Sequence, residues 1–269
     1  MTRALPSPDL ALALELADLA DSISLPRFRA ADLAIDTKPD RTFVTDADTA
    51  VERALRERIA SERPSDGFLG EESGREDRGA RRWIIDPIDG TSNFLRGVPN
   101  WATLIALEVD GSPSVGVVSA PAFGARWWAE AGAGAWGRQE GSDPRRLRVS
   151  AVADLEHASL SFQSIEQWDL AGHLDPLIAL TRAVWRDRAY GDMWSYMLLA
   201  EGLVDIVAEF DVKPYDLAAL VPIVREAGGR FTDIDGAESA WNGSSLATNG
   251  RVHDAVLDVI RHSRAESTR

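Results

Sequence analysis

The residues best placed to do chemistry are the carboxylates of Asp86-Pro87-Ile88-Asp89-Gly90-Thr91. They close an apolar run, Arg82-Trp83-Ile84-Ile85, that reads as a strand ending in Asp86. Strand ends present side chains from a rigid backbone. Pro87 fixes φ and stiffens the turn, so both carboxylates can be aimed at one point. Gly90 lets a ligand come close to the backbone, and Thr91 adds a hydroxyl. Ser92-Asn93-Phe94 can then open a helix whose free N–H groups cradle a phosphate. A second acidic pair, Glu71-Glu72, follows another short strand, Gly67-Phe68-Leu69. Carboxylates gathered in one place repel one another unless cations bind. Mg²⁺ is the natural cation, being hard, oxygen-seeking and given to sharing substrate phosphate oxygens. A lone Asp-x-x-Asp is more often a solvated turn, but the Pro, Gly and Thr make this segment far more specific.

The elements that must position these groups follow from periodicity and punctuation. Ser7 caps a first helix with Pro8 at its first position, and Leu12, Leu16, Leu19 and Ile23 recur at helical spacing. A second helix is expected from about Asp48 to Arg63, stopped by Pro64. Strands are expected at Thr103–Val109, Ser114–Ser119, Arg126–Ala129 and Leu147–Val149, separated by Gly, Pro and Asp turns. The second half alternates a strand at Ser159–Phe162, helices at Glu166–Arg182 and Met193–Glu201, a strand at Val204–Ala208, a helix at Pro214–Ala227 and a last helix after Asn249-Gly250. The expected architecture is one layered α/β domain over residues 1–269, β-rich to about residue 150 and alternating beyond it.

Composition narrows the partners. The 29 basic and 43 acidic side chains leave a net charge of −14, which repels nucleic acid and anionic lipid. It would also repel a phosphorylated metabolite unless cations neutralise the site. The absence of cysteine excludes disulfides, thiolate nucleophiles and Cys-ligated zinc, and nothing calls for an oxidising compartment, so a cytoplasmic location is expected. Leu10 to Leu19 is interrupted by Glu15 and Asp18, so it reads as neither signal peptide nor membrane span.

Taken with Thr45-Asp46-Ala47-Asp48 upstream, Gly70-Glu71-Glu72-Ser73 and Asp86 to Phe94 resemble the inositol monophosphatase-like family, and Glu226-Ala227-Gly228-Gly229, ten residues after Asp216, resembles its last motif. The resemblance runs from about Leu10 to the C-terminus and implies an αβαβα sandwich. It implies that Glu71, Asp86 and the Ile88 carbonyl hold one Mg²⁺, that Asp86, Asp89 and Asp216 hold a second, and that a third, looser ion sits near Glu71. Thr91 and Asp48, with Glu71, are implied to orient and activate the attacking water. The substrate's phosphate would then meet Ile88, Asp89, Gly90, Thr91 and Asp216. Displacement is expected in line, with no phosphoenzyme. The family's late Trp-Asp-x-Ala-Gly string is matched letter for letter by Trp168-Asp169-Leu170-Ala171-Gly172, and less well by Tyr215-Asp216-Leu217-Ala218-Ala219. Asp216 is chosen because it follows a strand and opens a helix with an apolar face at Leu217, Leu220, Val221 and Val224. Glu72 and Asp46 read as supporting or surface acids.

Three stretches resemble the histidinol-phosphate phosphatases of that family: Ile35 to Asp40, Arg96 to Pro99 with Trp101 to Leu107, and Val184 to Asp192. Histidinol phosphate is therefore the expected substrate, and histidine biosynthesis the expected context. Inositol phosphate or another small sugar or nucleotide phosphate is the alternative, and a non-catalytic relative is less favoured. An acidic pocket suits the ammonium and imidazole of histidinol phosphate. Arg188 is expected at the phosphate or polar tail and Glu209 at the organic part, with Asp192 a weaker choice. Trp83, Trp127 and Trp128 read as core, whereas Trp101, close to the phosphate turn, is the best candidate for stacking. The four histidines show no metal-ligand spacing. Relatives of this family are commonly dimers, so a homodimer is expected.

Overall fold

The computed structural model describes residues 6–39, 42–239 and 241–267. In chain order the elements are α1 (Pro8–Arg27), β1 (Ile35–Thr37), β2 (Phe43–Thr45), α2 (Asp46–Glu62), β3 (Gly67–Gly70), β4 (Gly74–Glu76), β5 (Arg81–Asp89), α3 (Thr91–Arg96), β6 (Ala102–Val109), β7 (Ser112–Ala120), β8 (Ala125–Glu130), β9 (Gly134–Gln139) and β10 (Arg145–Arg146). The second half continues with β11 (Ser159–Phe162), α4 (Ile165–Leu170), α5 (Leu174–Ala183), β12 (Arg186–Arg188), α6 (Asp192–Ala200), β13 (Ile206–Phe210), α7 (Pro214–Leu217), α8 (Leu220–Glu226), β14 (Arg230–Thr232), β15 (Ser244–Thr248) and α9 (His253–Ser267).

Eight strands form one sheet in the order β10-β9-β8-β7-β6-β5-β3-β4, and five form another in the order β12-β11-β13-β15-β14. The first sheet is antiparallel except where β3 runs parallel to β5. The second pairs β12, β11 and β13 in parallel and adds β15 and β14 antiparallel. Three cores separate the layers. Leu12, Leu16, Val51 and Leu55 of α1 and α2 pack on Trp83, Ile85, Ile105 and Val117 of the first sheet. The opposite face, with Ile84, Leu104 and Val118, meets Tyr196 of α6, Leu220 and Val224 of α8, and Val207 of the second sheet. The far face of that sheet packs Leu160, Ile206 and Leu246 against Trp168, Leu177 and Val256 of α4, α5 and α9. The result is the αβαβα sandwich, and strands buried on both faces explain the uninterrupted apolar runs.

Several boundaries differ from those the pattern suggests. Thr45, not a later residue, caps α2, and its hydroxyl receives the Asp48 N–H. The helix expected over Glu166–Arg182 breaks into α4 and α5, because Gly172 adopts φ +73°. Leu147–Val149 is not a strand: Leu147 N–H still reaches Ala135, but Val149 N–H turns to Ala227. The Pro214–Ala227 helix is two short helices, α7 and α8. Asp40 lies outside the described residues. No described helix is long and apolar enough to cross a membrane.

Candidate active site

The geometry at Asp86 and Asp89 comes from an irregularity in β5. Asp86 pairs with Leu104 but Asp89 with Ala102, so one extra residue is inserted opposite β6. In a regular strand residues three apart face opposite sides. The bulge turns Asp89 back to the side of Asp86. The Pro87 carbonyl is tied off by the Thr103 hydroxyl at 2.8 Å. Ile88 is buried with Ala47, Phe94 and Trp101, and its carbonyl accepts the Thr91 hydroxyl at 3.0 Å. Gly90 has φ +84°, and a Cβ there would lie 2.8 Å from the Asn100 carbonyl, so only glycine fits.

Asp48 arrives from the first turn of α2. Its Oδ2 accepts the Thr45 N–H at 2.9 Å, a reciprocal cap that fixes its rotamer. Its Oδ1 accepts the Thr91 hydroxyl at 3.2 Å, and the residue is fully buried. Burial pushes its carboxyl above the usual range, bonds from Thr45 pull it back, and the Glu71 charge raises it again. Asp216 stands in the first turn of α7, where its Oδ2 accepts the Lys213 N–H at 2.6 Å. One carboxylate oxygen each of Asp86, Asp89 and Asp216 fall within 4.8 Å of one another. Burial, then the neighbouring carboxylates, hold Asp86 and Asp89 well above the ordinary range. Asp216 is pushed up to about 7, chiefly by burial, with Glu71 adding to it.

Such a cluster suits a divalent cation. Asp86 Oδ1 is buried with no hydrogen-bond partner among the described residues, an unmet acceptor that an oxygen-seeking cation would satisfy. Glu71 stands at the rim of the same charge field, since it is among the groups that raise Asp86, Asp48 and Asp216.

The inositol monophosphatase family model matches residues 6–265. The chain belongs to the inositol monophosphatase family. It is 58% identical over 250 residues to a histidinol-phosphatase of Mycobacterium tuberculosis, covering 93% of this chain and 96% of that protein. It is 50% identical over 256 residues to a histidinol-phosphatase of Streptomyces coelicolor, covering 94% and 96%. Among solved structures, the extragenic suppressor protein suhB of Bartonella henselae superposes with a TM-score of 0.86 at 28% identity, covering 94% of this chain and 98% of that one. The chain is thus a phosphatase of the inositol monophosphatase family.

Within that family frame the two competing Asp strings separate cleanly. Asp169 is exposed on α4, while Trp168 beside it is buried edge-on against Phe210. Asp216 joins the cluster. Trp101 departs from expectation: it is fully buried and packs edge-on to Phe94 at 4.8 Å, so it supports the phosphate turn from beneath and offers no stacking face to a ligand. Trp83, Trp127 and Trp128 are core. Arg188 lies exposed on β12 and donates to its neighbour's Asp187 carbonyl at 2.6 Å; it is not gathered into the cluster. Glu209 is buried on β13, accepts the Tyr196 hydroxyl at 2.9 Å, and is pushed up to about 8 chiefly by burial. Asp46 is an exposed partner of Arg27, at 2.6 Å. Asp192 is held by Asn93 at 2.7 Å and Asn100 at 3.2 Å, and α6, which it opens, donates the Met193 N–H to Asp89 at 2.7 Å. His253 is buried between Thr232 and Thr248, and burial lowers it to about 4.

Three contributors escaped the sequence reading. Lys38 Nζ lies 2.8 Å from Glu71 and 2.7 Å from Glu72. Glu52, buried on α2, accepts the N–H groups of Glu72 at 2.8 Å and Ser73 at 2.6 Å, clamping the turn that carries Glu71. Tyr196 braces Glu209. Glu52 left a trace in the sequence, as an acid on the apolar face of α2 shared with Val51, Leu55 and Ile59, and Lys38 lies in the Ile35 to Asp40 stretch with no role assigned to it there.

Proposed function

We propose that this phosphatase hydrolyses histidinol phosphate to histidinol and phosphate, with Mg²⁺ bound at the carboxylate cluster. The convergence of Asp86, Asp89 and Asp216 around an unmet Asp86 oxygen carries the reaction type. The substrate is supported by the histidinol-phosphatases at 58% and 50% identity. The reaction would then supply histidinol to histidine biosynthesis. Glu71, Asp86 and the Ile88 carbonyl would hold one ion, and Asp86, Asp89 and Asp216 a second, with a third near Glu71. Ions so placed supply an acidified water and offset charge on the phosphate and leaving oxygens. Thr91 reaches both the Ile88 carbonyl and Asp48 Oδ1, so with Asp48 and Glu71 it can orient a water and pass on its proton. No side chain takes the phosphoryl group. Arg188, at the β12 edge, is assigned to a part of the substrate that extends away from the cluster. The halves before and after residue 150 act as one domain, since each supplies part of the cluster. We further infer a homodimer, which rests on the family resemblance.

Phosphate release from histidinol phosphate and from inositol 1-phosphate, each with Mg²⁺ and with chelator, tests the reading. Histidinol phosphate should win by about tenfold or more in kcat/KM, and chelator should abolish both rates. Equal rates would overturn the substrate, and indifference to chelator would overturn the metal. Sedimentation should show a single dimeric species, and a monomer would remove the dimer.

A further inference from the structure

A groove of about 530 Å³ lies between α1 and strands β7, β8 and β9, within the size range of small-ligand sites. Strand register sets its floor. Ser119 on β7 stands opposite Arg126 on β8, and Arg126 opposite Arg138 on β9. Residues opposite one another in antiparallel strands share a face, here the face that α1 covers. Asp21 of α1 meets the first two: its Oδ2 accepts the Ser119 hydroxyl at 2.8 Å and Arg126 at 2.6 Å. The charges of this row are not balanced. Arg126 has a second carboxylate, Asp18, at 2.7 Å. Arg138, beside it, lines the groove with no side-chain hydrogen bond and no ion pair among the described residues. Like charges placed opposite repel, and the charge of Arg138 is unmatched. Asp21 has the converse lack. Its Oδ1 is buried with no partner among the described residues. Burial pushes its carboxyl above the usual range, and Arg126 pulls it only part of the way back. A buried acceptor left unmet costs free energy until a donor arrives. Leu25, 44% exposed, and Pro121 give the groove an apolar wall.

We propose that this groove binds a free α-amino acid with an apolar side chain, its carboxylate on Arg138, its ammonium on Asp21 Oδ1 and its side chain against Leu25 and Pro121. Each end of the zwitterion supplies what the groove lacks. A guanidinium fork matches a carboxylate in shape and charge. An ammonium carries three donors and a full charge to an acceptor that has neither. A simple anion would satisfy Arg138 but set a second negative charge near Asp21. A simple amine would satisfy Asp21 but add a positive charge beside two guanidiniums. The zwitterion meets both groups and brings no net charge. The proposal is independent of the substrate reading, since none of the residues lining the groove belongs to the carboxylate cluster.

The test is calorimetry on the Mg²⁺-loaded protein with L-leucine and L-phenylalanine, each beside its amino alcohol and its deaminated acid. At least one of the amino acids should bind at about 1 mM or tighter, and loss of either charged end should weaken binding by about tenfold or more. Arg138→Ala should remove the preference for the amino acid over its amino alcohol. Asp21→Asn should remove the preference over the deaminated acid. Arg138 is exposed, so its variant keeps the test alive should Asp21→Asn disturb the Arg126 contacts and fail to fold. An amino acid captured by the Mg²⁺ cluster would keep its affinity in Arg138→Ala, and that result would overturn the groove as its site. No binding by either amino acid, or an amino alcohol that binds as tightly as its amino acid, would overturn it equally.

Discussion

Asp89 and Asp216 are buried among other carboxylates, and their chemistry follows from that. Burial and mutual repulsion raise both carboxyls, so protons substitute for metal when metal is withheld. Asp89→Asn or Asp216→Asn should cut turnover by about 1,000-fold or more while circular dichroism stays native; near-native turnover in either would remove it from the metal site. The same shifts set a pH dependence. Asp216 moves from a usual value of 3.8 to about 7 in the fold. Between those values the folded protein holds more protons than the unfolded chain, so stability falls as pH rises through the window. Asp86 and Asp89, shifted the same way, add to the fall. In chelator the melting temperature should drop from about pH 5 to about pH 8, and saturating Mg²⁺ should cancel most of the drop. A flat profile in chelator would show that the cluster is not under charge strain. The cluster's members were legible because their types and spacing are rigid requirements. Lys38 and Tyr196 were not, since a lone Lys or Tyr has meaning only once folding brings it to a carboxylate.

Elements set how accurately those residues are held. The Glu71 turn hangs from Glu52, whose carboxylate receives two N–H groups, and Gly70 leaves room because a methyl there would overlap that carboxylate. Glu52→Ala removes two hydrogen bonds to a carboxylate, from the N–H groups of the half-buried Glu72 and the exposed Ser73, at about 1 kcal/mol each where water can take its place. It should lower the melting temperature and weaken Mg²⁺ binding by about tenfold, read by calorimetry; unchanged Mg²⁺ affinity would show that the Glu71 turn holds itself. Element existence was largely legible, but three kinds of detail were hidden. The apolar run at Arg82 predicts a strand ending in Asp86 and a turn stiffened by Pro87, whereas β5 continues through a bulge to Asp89. β9 has no expected strand to match it, because Gly134 and Gly137 weaken the strand pattern, yet the side chain absent at Gly137 makes room for Trp127, which a Cβ would approach to 2.9 Å. Leu147 and Val149 alternate like a strand but serve two partners, one in the sheet and one at the end of α8.

At the scale of the molecule, periodicity predicts layers but not how two sheets with helices between them come into register. That register decides whether Asp216, from the second half, meets Asp86 and Asp89, from the first. The halves meet closely at Gly116 of β7, where a Cβ would overlap the Ala219 carbonyl and lie 2.7 Å from Pro222. Ala219 caps the start of α8 and Pro222 lies on α8, so this glycine sets how closely the helix pair bearing Asp216 sits on the first sheet. A side chain there has no flexible neighbour to displace, because the obstacle is backbone. Gly116→Ala should therefore push α7 and α8 outward, costing about 1–3 kcal/mol of stability through overpacking, and should carry Asp216 away from its partners. Mg²⁺ affinity should fall together with the melting temperature, and activity at saturating Mg²⁺ should recover only in part. A Gly116→Ala protein that melts lower yet binds Mg²⁺ as tightly as wild type would mean that α7 is placed by its own contacts with β5, and that the glycine serves packing alone.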